Sequence, residues 1–222
     1  MKHFTFTSNN APLQTGKAVC VGRNYMDHIE ELNNSVPTDP LLFIKPASAF
    51  CDLAAPFSIP TADGECHNEL EIALLVGRTL TNVTESEAMQ GIIGVGLALD
   101  LTLRDKQTEL KSKGYPWEIA KAFDNSCPVS SFIPVEEVSD IQDLHFSLQV
   151  NGEYRQQGHT ALMIRQAASL ISYISRYFTL EAGDLVLTGT PKGVGPLRPG
   201  DKLTCKLNDY FTISTQVSQD DS

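Results

Sequence analysis

Two acids, Glu69 and Glu71, open a run that is otherwise apolar, CHNELEIALLVG from Cys66 to Gly77. Ile72, Leu74 and Val76 alternate with Ala73 and Leu75, which predicts a buried strand. Side chains at i and i+2 of a strand point to the same side. Glu69 and Glu71 are therefore expected side by side at the edge of a buried sheet. Like charges that close repel, and burying them is costly unless something positive lies between them. Asp100 is the natural third acid, because it interrupts the apolar alternation of GVGLALDLTLRD, Gly94 to Asp105. Three carboxylates with open water positions make an all-oxygen site, which hard divalent cations such as Mg2+ or Mn2+ prefer. Ca2+ usually wants more ligands, and zinc needs more soft ligands at suitable spacing than Cys66 and His67 supply. Spacing alone leaves another reading open, in which the acids are exposed strand ends or partners of Lys and Arg.

Other residues carry weaker signals. His28 and Glu31 lie three apart on a short helical stretch and so share one face. A carboxylate beside an imidazole raises its basicity and fixes its tautomer, and such a pair can activate a water. The same spacing on a polar helix is also an ordinary solvated face. Lys121, in IAKAFD, reads on its own as a helix-end charge. Arg104 is expected either in a salt bridge, to Asp105 or Asp124, or in a catalytic role. Arg23 and Lys45 either offset the acidic site and steer an anion or are ordinary surface charges. LTGTPKGVGP, from Leu187 to Pro196, lacks the spacing of a phosphate-binding P-loop, so nucleotide binding is not expected. Its glycines let backbone N–H groups approach a ligand closely, and they equally suit a tight turn between strands.

The elements that must position these residues are mostly strands. KAVCVG (from Lys17), PLLFIKP (from Pro40), ELEIALLVG (from Glu69) and GVGLALDLTLRD (from Gly94) each read as one. HFSLQVNGEYRQQG, from His145, reads as a hairpin turning at Asn151-Gly152. EAGDLVLTGTP and PGDKLTCKL read as two turn-strand units. Helices are expected over Asn24 to Asn34, over Thr84 to Ile92 with a Thr84–Glu87 capping box, and over Ala161 to Phe178. In the last, Leu162, Ile164, Leu170, Ile171, Ile174 and Phe178 are available for the buried face. Simple strand–helix alternation is missing, so an α+β fold built on mixed, strongly curved β-structure is expected rather than a doubly wound sheet. No linker divides the 222 residues, so one domain is expected, with residues 1–16 as an N-terminal extension.

Composition bounds the partners. Hydrophobic residues make up 41% and charged residues 20%, ordinary for a soluble globular protein. The net charge of −10 argues against nucleic acid or an anionic membrane surface, which would want a basic face. It leaves room for a small anionic substrate, since a pocket's local charge can differ from the global sum. No apolar run is long enough to cross a bilayer. The opening MKHFTFTSNNAPLQ has no apolar core, so no signal peptide is expected. Five cysteines (Cys20, Cys51, Cys66, Cys127 and Cys205) with no C-x-x-C spacing suit reduced thiols in the cytoplasm.

Six stretches in order carry a resemblance: VGRNYMDHIEEL, PLLFIKPASAF, HNELEIALLVGR, GVGLALDLTLRDKQ, GYPWEIAKAFDNSCPVS and LTGTPKGVGPLRPGD. Through them the chain resembles the fumarylacetoacetate hydrolase family, specifically its small single-domain members acting on acylpyruvates and oxaloacetate. The resemblance runs from about Val21 to Asp201. It implies that fold, Mg2+ or Mn2+ on Glu69, Glu71 and Asp100, and a homodimer. It implies further that His28 and Glu31 form a water-activating dyad on a mobile lid and that Lys121 faces a developing oxyanion. Gln107, Arg23 and the Gly189–Thr190–Pro191 segment would then contact the substrate, with the Thr190 hydroxyl on its carboxylate. The activity expected first is metal-dependent hydrolysis of an acylpyruvate to pyruvate and a carboxylic acid. Oxaloacetate keto–enol tautomerisation or decarboxylation, and isomerisation of 2-hydroxyhepta-2,4-diene-1,7-dioate, are the alternatives. A catalytically silent, metal-stabilised binding protein is the reading from another class.

Overall fold

A computed structural model describes residues 1–8, 11–32 and 35–219. The expected helix end at Asn33-Asn34 lies outside the described residues. The main sheet has eight strands. Seven run across it in the order Leu41–Lys45, Ala18–Gly22, Leu185–Leu187, Leu70–Val76, Ile92–Leu99, Cys127–Val129 and Phe50–Asp52. Ile133–Pro134 pairs with the far end of the Ile92–Leu99 strand. Two neighbouring pairs are parallel and the rest antiparallel, so the sheet is mixed. It curls into a half-barrel. A four-stranded antiparallel sheet follows, ordered Glu153–His159, His145–Val150, Lys202–Leu207 and Phe211–Gln216. Its hairpin turns at Asn151 and Gly152, both with positive φ (54° and 85°), as a two-residue turn of this hand requires.

The main sheet is buried on both faces, which is why its strands read as nearly continuous apolar runs. Leu70, Ile72, Leu74 and Val76 face the larger core, which also takes Leu148 and Leu203 of the second sheet. Ala73, Leu75, Ala98, Ala18 and Cys20 face a smaller core closed by Phe4, Phe50 and Phe132. The acids belong to this second face. Glu71 continues the row of Ala73 and Leu75, and Asp100 continues that of Ala98.

Five α-helices surround the sheets: α1 Met26–Glu31, α2 Glu85–Met89, α3 Arg104–Lys113, α4 Glu118–Lys121 and α5 Ala167–Ser175. The Thr84–Glu87 capping box is present at α2. The helix expected over Thr84 to Ile92 ends at Met89, and Ile92 already opens the next strand. Two more expectations need correcting. The strand expected through Asp105 ends at Leu99; after Asp100 and a two-residue strand, Thr102–Leu103, α3 begins at Arg104. The helix expected over Ala161 to Phe178 spans only Ala167–Ser175, after a 3-10 turn over Thr160–Leu162, and Phe178 lies beyond its end. Leu162 is consequently 65% exposed, whereas Leu170, Ile171 and Ile174 are fully buried. Among the described residues no helix is long and apolar enough to cross a membrane. All five cysteines are free, and burial pushes the thiols of Cys51, Cys66 and Cys205 up to about 12.

Candidate active site

Strand register brings the three acids to one point. The Asp100 N–H donates to the Glu69 carbonyl at 2.8 Å, so the two residues face each other where the Leu70–Val76 and Ile92–Leu99 strands end. Glu71 stands opposite Ala98, one step along the same face. Carboxylate oxygens of Glu69, Glu71 and Asp100 lie within 4.8 Å of one another, and each residue is at most 5% exposed. Cys66 and His67 are not part of this cluster.

Three cations surround the acids. Lys121, at the end of α4, donates to Glu69 Oε2 at 2.8 Å, Asp100 Oδ2 at 2.6 Å and Thr102 Oγ1 at 2.6 Å. Its three ammonium protons are thereby all committed. Arg104 Nη2 bonds Glu69 Oε1, and Nη1 donates to Gln107 Oε1 at 2.7 Å. The expected Arg104 bridges to Asp105 or Asp124 do not form; Asp105 instead accepts the Glu65 N–H. Lys45 is fully buried, so it is neither a surface charge nor able to steer an anion from outside. Its Nζ sits 2.9 Å from Asp100 Oδ1 and bonds the Lys121 and Ser126 carbonyls and the Ser126 hydroxyl.

These neighbours split the acids. Burial pushes the Glu69 carboxyl up, but the charges of Lys121 and Arg104 outweigh it and hold the group well below the usual range. At Glu71, burial and then the charges of Asp100 and Glu69 push the carboxyl well above it, against one opposing hydrogen bond from the Gly189 N–H at 2.7 Å. Burial lowers the Lys121 ammonium, yet Asp100 and Glu69 more than offset this, so it stays firmly charged. Asp100 Oδ1 is buried without an aligned hydrogen bond despite its ion pair to Lys45. An all-oxygen cluster with one under-satisfied carboxylate oxygen and one repelled carboxyl fits a hard divalent cation.

A cleft opens over the cluster. Arg23, His28, Leu41, Phe43, Glu69, Arg104, Gln107, Lys111, Trp117 and Lys121 line it, which unites the expected catalytic His and Lys with Arg23 and Gln107. His28 Nδ1 lies 3.3 Å from Glu31 Oε2, and Glu31 Oε1 accepts the Gly193 N–H at 2.9 Å. Lys192 and Asp27 add an exposed ion pair at 3.1 Å. Helix α1 is thus latched to the Gly189–Gly195 loop. Gly193 could not be another residue, since a Cβ there would lie 1.7 Å from the Arg155 carbonyl oxygen. Thr190 sits beside the acids, but its hydroxyl donates to the Leu70 carbonyl at 2.8 Å and accepts from Gln156 at 2.7 Å. Pro191 accepts from the same Gln156 amide and lies outside the cleft lining. The Thr190 hydroxyl expected on a substrate carboxylate is therefore engaged within the protein.

Sequence reasoning missed Asn24. Its buried amide donates to the Arg165 and Thr188 carbonyls, and its carbonyl accepts the Arg165 N–H at 2.8 Å. These bonds hold the turn into α1, where Arg23 takes the left-handed φ of 62° that costs a residue with a Cβ about 1–2 kcal/mol.

Residues 17–218 match the family model described as "Fumarylacetoacetate (FAA) hydrolase C-terminal". The chain belongs to the fumarylacetoacetate hydrolase family. It is 55% identical to the oxaloacetate tautomerase YcgM of Escherichia coli over 202 residues, 90% of this chain and 92% of that one. A crystal structure of a fumarylacetoacetate hydrolase family protein from Yersinia pestis superposes with a TM-score of 0.95 at 49% identity, covering 98% of this chain and all of that one. The fumarylpyruvate hydrolase of Pseudomonas aeruginosa, solved with Mn2+ and pyruvate, gives 0.92 at 32% identity over 98% of this chain and 96% of that one. Enzymes on small keto acids, with the fold expected from the sequence, are thus this chain's relatives.

Proposed function

We propose that this family member is a divalent-metal-dependent oxaloacetate keto–enol tautomerase. The observation that carries the reading is one cleft lined by Glu69, a committed Lys121 and His28, where Glu69 belongs to a buried three-carboxylate cluster and His28 pairs with Glu31. The 55% identity to a tautomerase over nearly the whole chain supports the choice of reaction and moves it ahead of the acylpyruvate hydrolysis expected first.

Glu69, Glu71 and Asp100 would hold Mg2+ or Mn2+. When bound, the ion supplies Lewis-acid polarisation of a keto oxygen and lowers the barrier to forming an enol. The chain's own groups do the rest. His28 takes the C3 proton from the keto form and gives it to the C2 oxygen to complete the enol, and runs the same two transfers in reverse from the enol. Glu31 occupies Nδ1, which leaves Nε2 as the ring atom for these transfers. Lys121 acts as a fixed positive charge beside the electron-rich oxygens rather than as an acid, because its protons are committed to Glu69, Asp100 and Thr102. Gln107 gives its carbonyl to Arg104, so its amide N–H groups are the end offered to a ligand. Phe43 and Trp117 close the side of the cleft and limit water around the enol.

Acylpyruvate hydrolysis is a second reading, favoured by the same His28–Glu31 pair, which suits water activation, and by the likeness to a fumarylpyruvate hydrolase. Enol absorbance of oxaloacetate, followed with Mn2+ and after chelation, tests the proposal against acetylpyruvate cleavage. The expected result is metal-dependent acceleration of enol–keto exchange with kcat/KM well above that for acetylpyruvate. Exchange at the uncatalysed rate, or exchange undiminished by the chelator, overturns it.

A further inference from the structure

Lys111 is a cation of the cleft that this chemistry leaves without a role. It follows Arg104 and Gln107 on α3 at i+7 and i+4, so the three share one helix face, and all line the cleft. Lys106 and Lys113 on the same helix both pair with Glu109. Among the described residues the Lys111 ammonium has no carboxylate partner and no hydrogen bond, though its carbonyl accepts the Gly114 N–H at 3.2 Å. Its ammonium lies instead 5.0 Å from the centre of the Trp117 ring. Lys111 is exposed as a residue and Glu69 buried, so the cleft runs from the ammonium at its mouth to Glu69 at its floor.

The charges of that cleft suit an anion. Arg23, Arg104, Lys111 and Lys121 line the cleft against one acid, Glu69, in a chain whose net charge is −10. Arg104 and Lys121 are already bonded to the floor. Partial burial of its ammonium end, then repulsion from Arg104, Arg23 and Lys121, pulls the Lys111 ammonium down to about 8. A bound carboxylate would relieve that repulsion. A keto acid whose pyruvate end sits at the floor must place any further substituent toward the mouth.

We propose that Lys111 receives the distal carboxylate of a dianionic 2-oxo acid and is the residue by which the cleft prefers dianions over monoanions. This rests on the oxaloacetate reading of the site. The probe pair is oxaloacetate and 2-oxobutyrate, which carries a methyl group where oxaloacetate has its distal carboxylate. With the Mn2+-loaded enzyme, K111M is expected to raise KM for oxaloacetate at least ~10-fold, the scale of one lost charge-assisted hydrogen bond. The Ki of 2-oxobutyrate as competitor should stay within about twofold. K111R should recover most of the oxaloacetate affinity, which a loss of folding would not allow. An unchanged KM in K111M, or KM and Ki rising together, overturns the assignment. If the wild type does not turn oxaloacetate over, the tautomerase reading fails alone. Calorimetric Kd values for the same two ligands then decide Lys111: selective loss of oxaloacetate binding in K111M supports it, and equal affinities in wild type and K111M overturn it. No binding of oxaloacetate by the wild type overturns both.

Discussion

His28 and Lys111 act on neighbouring carbons of one substrate in the proposed complex, C3 and the distal carboxylate, and their failures should look different. His28→Ala removes the group that moves the C3 proton, so kcat is expected to fall at least ~10²-fold, the lower range for acid–base catalysis. Retention of the Mn2+-induced rise in Tm would show that the cation site survives. Lys111 governs affinity. It is charged below about pH 8 and neutral above, so KM for oxaloacetate should be flat below that pH and climb beyond it. The groups acting on it are Arg104 from its own helix and Arg23, Lys121 and Glu69 from across the cleft. K111R keeps its charge and should flatten the climb in a pH series of KM; a climb unchanged in K111R would assign it to another group. At this scale the sequence was readable wherever a charge broke an apolar run, which is how Asp100 stood out. Lys45 breaks LLFIKP in the same way and was open to the same logic. Asn24 gave no such signal, because an Asn opening a helical stretch reads as an ordinary helix start.

Elements place these residues through a few tight passages. Gly189 has φ of 97°, and a Cβ there would sit 2.7 Å from Asn24 Cβ. The same residue donates to Glu71. Gly189→Ala is therefore expected to cost about 1–3 kcal/mol from a disfavoured φ and a backbone shift. Thermal unfolding should show a Tm lowered by several degrees together with weaker Mn2+ stabilisation. An unchanged Tm would mean that the loop relaxes without disturbing the acids. Strands and the hairpin were legible because alternation and Asn-Gly survive any tertiary context here. Helix α3 was not, since in RDKQTELKSK only Gln107 and Leu110 are buried and no apolar stripe marks it. What holds α3 is its polar face, Arg104 and Gln107 turned toward the acids, a contact that appears only after folding. The late start of α5 has a similar cause: the Arg165 N–H is claimed by Asn24, and the Ile164 N–H by the Asn24 carbonyl.

For the whole molecule, the decisive tension is that folding buries Glu69, Glu71 and Asp100 together, with Lys45, Lys121 and Arg104 bonded to Glu69 and Asp100 and none of them bonded to Glu71. Curvature of the mixed sheet was expected from the sequence, but the convergence of two strand ends with α3 and α4 on one point depends on register, which composition does not encode. Glu71 is where the tension concentrates, because burial and both other acids push its carboxyl up against one backbone N–H and the charge of Lys121. Glu71→Gln keeps an oxygen for the Gly189 N–H while removing the charge. Without metal, the variant's Tm is expected at or above that of the wild type. With Mn2+ at a hundred times its Kd, the wild type should gain about 2.7 kcal/mol from linkage. The variant should lose most of that gain at the same Mn2+ concentration, along with turnover. The measurement is a pair of melting curves for each protein, with Mn2+ and with chelator. If Glu71→Gln instead melts several degrees lower without metal and keeps the full Mn2+ shift, Glu71 is a structural anchor and the cation sits elsewhere.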